Sequence, residues 1–392
     1  MEFQRKRIIT KTGNWVKGRY YYRRKDELNN LWDRIEAGEH ILLSAPRRVG
    51  KTSILMDLRE NPRNSYTAIY EITEAVNDQN SFFKRIYESL VKELDQKGRI
   101  TEAVKRLFSD RGIKSAGLQN IEFESQRANY YEEIISLCKK LEPDQTYLVL
   151  IDEYAQTIQN ILEDQDLAAA REFLSLNREL RQMPETNGRL QFVYAGSIGL
   201  GNVVGNINLT RTINDINPFR MKSYRDFETK ALVQQLTEGT GVDFPEQAID
   251  YMIEKLQWVL PFYVQLILEG CDDLLPMESD KPIVITNKMI DQAFNASLDK
   301  RNYFEDWFSR LRRSFKGDEY SFIMDVLNNA AVKGEISKAE IVNIADARDL
   351  LHDYHRLIDV LENDGYITSD NEGKDYHFTS PLLAAWWKKA LT

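Results

Sequence analysis

The stretch Ile41–Leu55, ILLSAPRRVGKTSIL, contains residues at the spacing of a phosphate-binding loop. An apolar run that favours a buried strand opens it, and Gly50-Lys51-Thr52 leads into a segment with helical spacing of apolar residues. Backbone N–H groups and the dipole at a helix N-terminus together bind anions. In such a loop Lys51 would reach the β- and γ-phosphates of a nucleotide, and the Thr52 hydroxyl would bind Mg²⁺. The spacing therefore predicts a nucleotide site with Mg²⁺.

The loop departs from the usual pattern at its first position, where Ala45 replaces glycine. Alanine is tolerated there provided that its φ is negative, whereas Gly50 permits close approach of the backbone to phosphate. So short a motif can also occur by chance, so a second sequence element is needed to support a nucleotide site. The candidate nucleotide-binding residues of the loop are Ala45, Pro46, Arg47, Arg48, Val49, Gly50, Lys51, Thr52 and Ser53.

Two adjacent acids supply that second element. The stretch YLVLIDEYAQ is an apolar run that ends in Asp152 and Glu153. An acid at the carboxyl end of a strand beside a phosphate loop can hold the Mg²⁺ shell, which we assign to Asp152. The next acid can polarise the attacking water as a general base, which we assign to Glu153. The alternative to a catalytic role is that Asp152 and Glu153 are merely two solvated acids at a strand end. The phosphate-binding loop upstream in the sequence argues against that alternative.

The stretch FVYAGSIG, 192–199, ends a further apolar run in small and polar residues. Ser197 could contact the γ-phosphate or orient the attacking water. An ordinary turn after a strand explains the same residues equally well.

Apolar runs alternate with helix-like segments through the first half of the chain. Each run is unbroken, which is typical of parallel strands buried on both faces, and ligands of such sheets bind beyond the carboxyl ends of the strands. We therefore predict an α/β fold, a P-loop NTPase with a parallel sheet. Residues 98–129 are expected to be an insertion with a helix and a short strand. The predicted strands are 39–45, 66–72, 146–151, 189–196 and one within 213–222.

The second half of the chain has a helical pattern. In it, Asp243 is expected to cap a helix that has Pro245 in its first turn. From Asp318, three helix-like segments precede two short strands around a polar turn at 371–373, which is a winged-helix pattern. The predicted domains are 1–222, a P-loop ATPase core with a basic N-terminal segment; 223–317, a helical lid and connector; and 318–392, a winged-helix-like domain.

The composition is that of a globular protein, with 42% hydrophobic residues, 29% charged residues and a net charge of −9. Cys138 and Cys271 are far apart and form no metal or redox spacing, as expected in a reducing cytosol. No run approaches the ~20 apolar residues of a membrane span, and the N-terminus lacks the apolar core of a signal peptide. We therefore expect a cytoplasmic protein without membrane partners.

The charge is unevenly placed along the chain. Residues 1–25 carry nine basic groups and one acid, whereas residues 318–392 carry seven basic groups and fourteen acids. The two ends are therefore expected to meet different partners, or each other.

Three motifs in this order and spacing, PRRVGKTSIL, LVLIDEY and FVYAGSIG, resemble the archaeal-type ATPases of the STAND division of AAA+ proteins, which are signal-transduction ATPases of prokaryotes. The stretch YYYRRKDELNNLWDRI, 20–35, is similar to the N-terminal motif of that group, with Arg24 matched. The stretch WVLPFYVQLI, 258–267, resembles the Gly-x-Pro motif of the helical lid, with Pro261 matched. The resemblance covers roughly residues 18–275. Arg23 and Val259 stand where the family usually has glycine.

The resemblance implies ATP binding and slow hydrolysis to ADP and phosphate, with Mg²⁺. It also implies that the segment of Arg24 lies over the base and ribose, with Arg24 as a nucleotide-binding residue, and that Pro261 packs on the nucleotide. An arginine pair is common in the family's loop, so Arg47 and Arg48 either brace the loop or reach a partner. Two further arginines, Arg211 and Arg220, are at positions where AAA+ relatives have an arginine that acts on the nucleotide of a neighbouring subunit. That they are ordinary surface arginines is an equally good interpretation.

The acidic tail bears on the choice of partner. Winged helices often bind DNA through their third helix, but here that helix and the wing are rich in acids, which a phosphate backbone would repel. We therefore expect a tail that contacts protein or autoinhibits the core. His352 and His355 could face one side of a helix as metal ligands, but the apolar residues around them favour a packing helix.

Three functions remain open from the sequence. The first is an ATP-dependent switch that couples nucleotide state to partner binding or self-association in signalling or defence. The second is a DNA-handling AAA+ ATPase similar to those of origin recognition or transposition, suggested by the basic N-terminus and by the basic, aromatic segment 303–317. The third is a nucleotide-bound scaffold that does not hydrolyse ATP, suggested by Ala45 and Val259.

Overall fold

The computed structural model describes residues 3–13, 15–63, 65–96, 128–142, 144–196, 199–279, 281–370 and 372–391. Their strands are β1 (Phe3–Gln4), β2 (His40–Ser44), β3 (Tyr66–Ile72), β4 (Thr146–Asp152), β5 (Leu190–Ala195), β6 (Ile216–Arg220), β7 (Val242–Asp243), β8 (Glu278–Ser279), β9 (Ile283–Val284), β10 (Ile336–Ser337), β11 (Ile367–Ser369) and β12 (Asp375–Phe378). Their α-helices are α1 (Lys25–Glu36), α2 (Lys51–Glu60), α3 (Gln79–Gln96), α4 (Tyr130–Cys138), α5 (Tyr154–Asp164), α6 (Leu167–Gln182), α7 (Leu200–Asn206), α8 (Asp226–Thr237), α9 (Glu246–Leu256), α10 (Pro261–Asp273), α11 (Asn287–Ser297), α12 (Arg301–Ser314), α13 (Gly317–Lys333), α14 (Lys338–Asp346), α15 (Tyr354–Asp364) and α16 (Pro381–Ala390).

The chain forms two compact units that are not continuous in sequence. The first unit contains Met1–Arg24, Ala45–Ser53 and Met221–Thr392, and the second contains Lys25–Ser44 and Ile54–Arg220. The candidate phosphate loop therefore packs with the N-terminal segment and the C-terminal half of the chain. The three domains expected from the sequence, 1–222, 223–317 and 318–392, stay a prediction.

The second unit is built on a five-stranded parallel sheet with the order β3-β4-β5-β2-β6. Every residue from Tyr147 to Asp152 is buried, as an unbroken apolar run predicts for a parallel strand covered on both faces. The predicted strands are confirmed within one or two residues at each end, and the strand expected within 213–222 is β6.

The strand order brings two chemically important strand ends to one edge of this sheet. β2 ends at Ser44, directly before the candidate loop, and β4 ends at Asp152. Because all five strands are parallel, both carboxyl ends lie at the same edge, with β5 between them. This is the edge at which ligands of open α/β sheets bind.

Aromatic side chains form much of the core on the α3 side of the second unit. Phe82 and Phe83 of α3 pack edge-to-face, and Phe82 also contacts Tyr154 and Phe173 at ring-centroid distances of 5.8 and 4.9 Å. Tyr154 directly follows Glu153, so the start of α5 is anchored in this core. The insertion expected at 98–129 lies almost entirely outside the described residues.

The first unit contains the helices α8 to α12, which cover the region predicted from the sequence as lid and connector. Gly270 of α10 faces Ala293 of α11 so closely that a Cβ at position 270 would lie 2.9 Å from the Ala293 Cβ. The aromatic side chains Phe304 and Trp307 of α12 are buried, as expected for an amphipathic connector, whereas Arg312 and Arg313 are exposed. In the described part of the chain, no helix is long and apolar enough to cross a bilayer.

The C-terminal region consists of α13, β10, α14, α15, a β11–β12 hairpin and α16, with antiparallel strands in the order β10-β12-β11. Three helices followed by a hairpin agree with the sequence prediction for these elements. The third helix is shorter than expected, since it begins at Tyr354. Asp349 has a left-handed φ of 57° that ends the helical path before it, so His352 lies in a turn, outside the helix of His355.

The predicted helix cap at Asp243 is wrong. Asp243 belongs to the short strand β7, where its carbonyl accepts the N–H of Ile285 at 2.9 Å. The helix α9 begins at Glu246, with Pro245 as the N-cap residue and no side-chain cap. Pairing with β9 keeps the backbone extended for longer than the local pattern suggests.

Candidate functional site

The candidate loop is shaped by two residues with left-handed backbone conformations. Gly50 has a φ of 101° and Arg48 a φ of 67°. Ala45 is not among the described residues with positive φ. The condition under which alanine can replace the first glycine is therefore met.

Lys51 opens α2 with its side chain folded against the loop backbone. Its Nζ donates hydrogen bonds to the carbonyls of Ala45, at 2.6 Å, and Pro46, at 3.2 Å. Thr52 follows in the first turn and is partly exposed. Ser53 is buried, and its hydroxyl accepts the N–H of Val16 at 3.1 Å, which ties the N-terminal segment to the loop. Of the two hydroxyls, Thr52 is therefore the better placed to meet a ligand.

Arg48 contacts the N-terminal segment and the lid. It donates to the Thr12 carbonyl at 3.4 Å, and its guanidinium lies 4.7 Å from the centre of the Phe262 ring. Phe262 follows Pro261, the lid residue that matches the family motif and begins α10. These contacts are what a bracing arginine makes, so they support the bracing interpretation for Arg48.

The C-terminal region also packs against the loop. Gly365, which ends α15 with a φ of 80°, lies so close to Pro46 that a Cβ there would be 2.8 Å from the Pro46 Cβ and 2.5 Å from Trp258 Cη2. The neighbouring Asp364 pairs with Arg310 at 2.9 Å. Burial raises the pKa of Asp364, and the charges of Arg310 and Lys51 oppose that rise. The next residue, Tyr366, is also buried. Burial raises the pKa of its hydroxyl, and the charge of Arg47 in the loop opposes that rise.

Asp152 holds a fixed orientation at the carboxyl end of β4. Only 5% of the residue is exposed. Its Oδ1 accepts the N–H of Glu153 at 3.2 Å and its Oδ2 accepts the Tyr70 hydroxyl at 3.0 Å. Its main-chain carbonyl accepts the N–H and the hydroxyl of Thr73, at 2.9 and 3.1 Å.

Glu153 has an uncommon backbone conformation, with φ 61° and ψ 35°, and it is the N-cap residue of α5. Left-handed conformations of residues with side chains cost about 1–2 kcal/mol and cluster at functional sites. The turn redirects the chain sharply after β4. Glu153 is therefore held at the sheet edge and partly exposed, as a general base must be.

Tyr70 is a site residue that the sequence did not indicate. It lies on β3, where Tyr70 pairs in register with Leu150 and Ile72 with Asp152. Burial raises the pKa of the Tyr70 hydroxyl, and the charges of Asp152 and Glu153 raise it further. The hydroxyl thus stays protonated and donates to Asp152. A polar aromatic residue near the end of a neighbouring strand was the signal that could have revealed it.

The remaining predicted residues are not all at this edge. Arg220 ends β6 opposite Ser44, at the carboxyl edge of the sheet. Arg211 is exposed in a 3₁₀ turn, Thr210–Ile213, before the amino end of β6, so it is not brought to Asp152 of its own chain. Ser197 lies outside the described residues.

Arg24 is buried in the first unit. It pairs with Glu228 at 3.3 Å, donates to the carbonyls of Lys222 and Ser223, and lies over the Tyr224 ring. These contacts join the N-terminal segment to the start of α8.

The oxygen donors fit Mg²⁺ rather than a metal held by a protein cage. Among the described residues no cluster of three or more histidines, cysteines or acids could hold a metal ion. Mg²⁺ in nucleotide sites typically uses one or two protein oxygens together with phosphates and water. Thr52 and Asp152 are of the required type, a partly exposed hydroxyl and an oriented carboxylate.

Comparisons with known proteins bear on the fold. No established family profile matches the sequence, and no curated protein matches it significantly. A Walker-type ATPase of Pyrococcus abyssi has a similar structure, with a TM-score of 0.63 and 15% identity over 96% of this chain and 99% of its own. The chain has the P-loop fold of the AAA+ ATPases.

A second solved structure supports this fold. The ORC2 protein of Aeropyrum pernix, determined in ADPNP–ADP complexes, is similar with a TM-score of 0.56 and 11% identity, over 94% of this chain and 91% of its own. Both matches extend over nearly the whole chain, so the likeness includes the C-terminal half as well as the sheet.

Proposed function

We propose that this protein is an ATP-binding and ATP-hydrolysing molecular switch of the STAND type, dependent on Mg²⁺. The observation that carries the proposal is the sheet edge of the second unit. There β2 ends at Ser44, which leads directly into the loop of Gly50-Lys51-Thr52, and β4 ends at Asp152 and Glu153. The strand ends Ser44 and Asp152 thus lie at one edge of the sheet, and a phosphate loop and a pair of acids that follow such strand ends are the parts that ATP hydrolysis requires.

The chain's own residues divide the work as follows. The loop N–H groups and Lys51 would bind the phosphates, while Thr52 and Asp152 would hold Mg²⁺, which would neutralise charge on the phosphate oxygens. Glu153 accepts a proton from water as the water oxygen bonds to the γ-phosphorus. The bond from that phosphorus to the β–γ bridging oxygen breaks, and ADP and phosphate are the products. Ser197, Arg211 and Arg220 are candidates for contacts to the γ-phosphate, the last two from a neighbouring subunit.

The switch part of the proposal rests on the packing of the tail in the first unit. Gly365 lies against Pro46, and Asp364 lies where the Lys51 charge influences it. We propose that the docked tail is autoinhibitory, because Gly365 packs on the loop at Pro46 and would have to move with it when the loop binds a phosphate. Release of the tail would couple ATP binding to self-association or to a protein partner of the lid and the winged-helix-like region.

The proposed setting is the reducing cytoplasm, in which the two buried thiols would stay free. Cys138 and Cys271 are free, and burial raises the pKa of each to about 12. Thiols of this kind are protected from oxidation, because the thiolate is the reactive form.

Nucleotide binding by Lys51→Ala tests the site assignment. Loss of the ammonium removes the charge that faces the phosphates, so we expect the affinity for a fluorescent ATP analogue with Mg²⁺ to fall at least 10-fold in an equilibrium titration. Lys84→Ala, on the exposed face of α3, is the matched control and should bind as the wild type does. Unchanged affinity of Lys51→Ala would show that the site is elsewhere.

A DNA-handling ATPase is the alternative, favoured by one observation. Arg312, Arg313 and Lys316 are exposed on and just after α12. Against it, other basic residues of the N-terminal segment and of segment 303–317 form ion pairs within the protein. These pairs are Arg5 with Asp272, Arg24 with Glu228 and Arg310 with Asp364. A duplex-binding assay at low salt decides between them, since this alternative requires affinity that falls steeply with salt.

A further inference from the structure

Tyr70 places its hydroxyl on the carboxylate that the proposed function assigns to Mg²⁺. The hydroxyl donates to Asp152 Oδ2 at 3.0 Å, from β3, the strand that neighbours β4. In the parallel register Ile72 is the partner of Asp152, so Tyr70 stands two residues before it on the same face of the sheet. Only a long side chain with a terminal donor spans this offset.

The two oxygens of Asp152 are held from different directions. Tyr70 binds Oδ2, and the N–H of Glu153 binds Oδ1 at 3.2 Å. Because the Tyr70 hydroxyl and the Glu153 N–H bind different oxygens, the carboxylate plane cannot rotate without breaking a hydrogen bond. Only 5% of Asp152 is exposed, so little water is at hand to replace a broken bond.

The backbone around Asp152 is clamped as well. Its carbonyl accepts two hydrogen bonds from Thr73, and the Thr157 hydroxyl donates to the Thr73 carbonyl at 2.8 Å. Thr73 and Thr157 are fully buried. The main chain is thus fixed independently of Tyr70, and the phenol acts on the direction of the side chain alone.

We infer that Tyr70 is a positioning residue that sets the orientation of the Asp152 carboxylate for Mg²⁺ in the nucleotide complex. The inference rests on the proposed function. Partners that orient a metal-binding side chain typically contribute 10- to 100-fold to metal affinity or activity.

The Tyr70→Phe variant removes the hydroxyl and keeps the ring. We measure binding of a fluorescent ATP analogue at increasing Mg²⁺, and in EDTA without metal. We expect the Mg²⁺ concentration for half-maximal enhancement of binding to rise about 10-fold, with affinity in EDTA unchanged. In hydrolysis assays, saturating Mg²⁺ should restore most of the lost rate. Tyr66→Phe is the matched control, since Tyr66 lies on the same strand and its hydroxyl donates to the Ile35 carbonyl.

A double-mutant cycle with Asp152→Asn separates positioning from a general structural role. If Tyr70 acts through Asp152, Tyr70→Phe should change the Mg²⁺ dependence little in the Asp152→Asn background. An equal Mg²⁺ dependence of the wild type and Tyr70→Phe would overturn the inference while leaving the proposed function intact, provided that the wild type binds the analogue. Failure of the wild type to bind it at any Mg²⁺ concentration would instead overturn the proposed function.

Discussion

At the scale of single residues, Arg48 and Glu153 adopt left-handed backbone conformations, with φ of 67° and 61°. Each conformation costs about 1–2 kcal/mol for a residue with a Cβ, so surrounding contacts must offset it. Arg48 gains the Thr12 carbonyl and the Phe262 ring, and Glu153 gains a hydrogen bond from its N–H to Asp152. Both strained residues lie where the proposed chemistry needs a sharp turn.

His40 gives a residue-scale prediction about acid stability. Burial is the largest cause that lowers the pKa of His40 to about 4 from 6.5. Its Nδ1 accepts the Phe192 N–H at 3.1 Å, and its Nε2 lies 3.2 Å from the Arg181 carbonyl, which fits a neutral ring with the proton on Nε2. Protonation of Nδ1 would place its N–H opposite the Phe192 N–H, so that two donors would face each other without an acceptor.

The sign of the effect follows from these pKa values. The unfolded chain takes up a proton below pH 6.5 and the folded chain does not, so the contribution of His40 to stability is complete above pH 6.5. It is lost as the pH falls from 6.5 to 4, by about 3 kcal/mol. Urea unfolding at several pH values should show a shallower loss for His40→Gln than for the wild type, with the exposed His352→Gln as control. Equal slopes for all three proteins would refute the prediction.

Residue types predicted the phosphate loop and the acidic pair, because these chemistries need particular side chains at fixed spacings. The sequence offered only a weak signal for Tyr70, a polar aromatic residue near a strand end, because its contact with Asp152 depends on the register between β3 and β4. Likewise, the burial of Arg24 against Glu228 depends on segments about two hundred residues apart. A basic residue near a motif therefore does not by itself indicate a ligand contact.

At the scale of elements, the strands were predicted well and the helix ends less well. Strands buried on both faces leave continuous apolar runs, which is why β3 and β4 were located within one residue. Helix ends depend on tertiary pairing, as at β7, where Asp243 extends a strand instead of capping a helix. Strand order was not predicted, because the apolar pattern alone does not say which strands are neighbours.

The end of α15 provides an element-scale prediction. Gly365 and Gly373 both have left-handed φ, of 80° and 65°. A Cβ added at Gly365 would collide with Trp258 and Pro46, whereas a Cβ added at Gly373 would have no other atom within 4 Å. Both alanine variants should lose about 1 kcal/mol from backbone strain. Gly365→Ala should lose about 1–3 kcal/mol more from overpacking, unless the tail leaves the loop.

Thermal unfolding and nucleotide association rates measure both outcomes. We expect Gly365→Ala to unfold at a lower temperature than Gly373→Ala, or to bind the fluorescent ATP analogue faster, because either result reports the contact between tail and loop. If the two variants match each other in both measurements, the tail does not constrain the loop.

At the scale of the whole molecule, each compact unit is assembled from segments that are far apart in the sequence. The nine-residue loop Ala45–Ser53 packs with residues far from it in the chain, including Trp258 and Gly365, while the strand before it belongs to the sheet of the second unit. A change in the tail can therefore reach the candidate phosphate-binding residues of the loop directly, which is the property a nucleotide switch requires.

The most direct test of the account is single-turnover hydrolysis of labelled ATP with Mg²⁺ by the wild type, Glu153→Gln and the control Glu163→Gln, which changes an exposed residue of α5. We predict slow hydrolysis by the wild type and by Glu163→Gln. In Glu153→Gln the rate should fall about 100-fold or more while ATP binding is kept, because a general base contributes 10²–10⁴-fold. Binding without hydrolysis by the wild type, or hydrolysis by Glu153→Gln at the wild-type rate, would contradict the account.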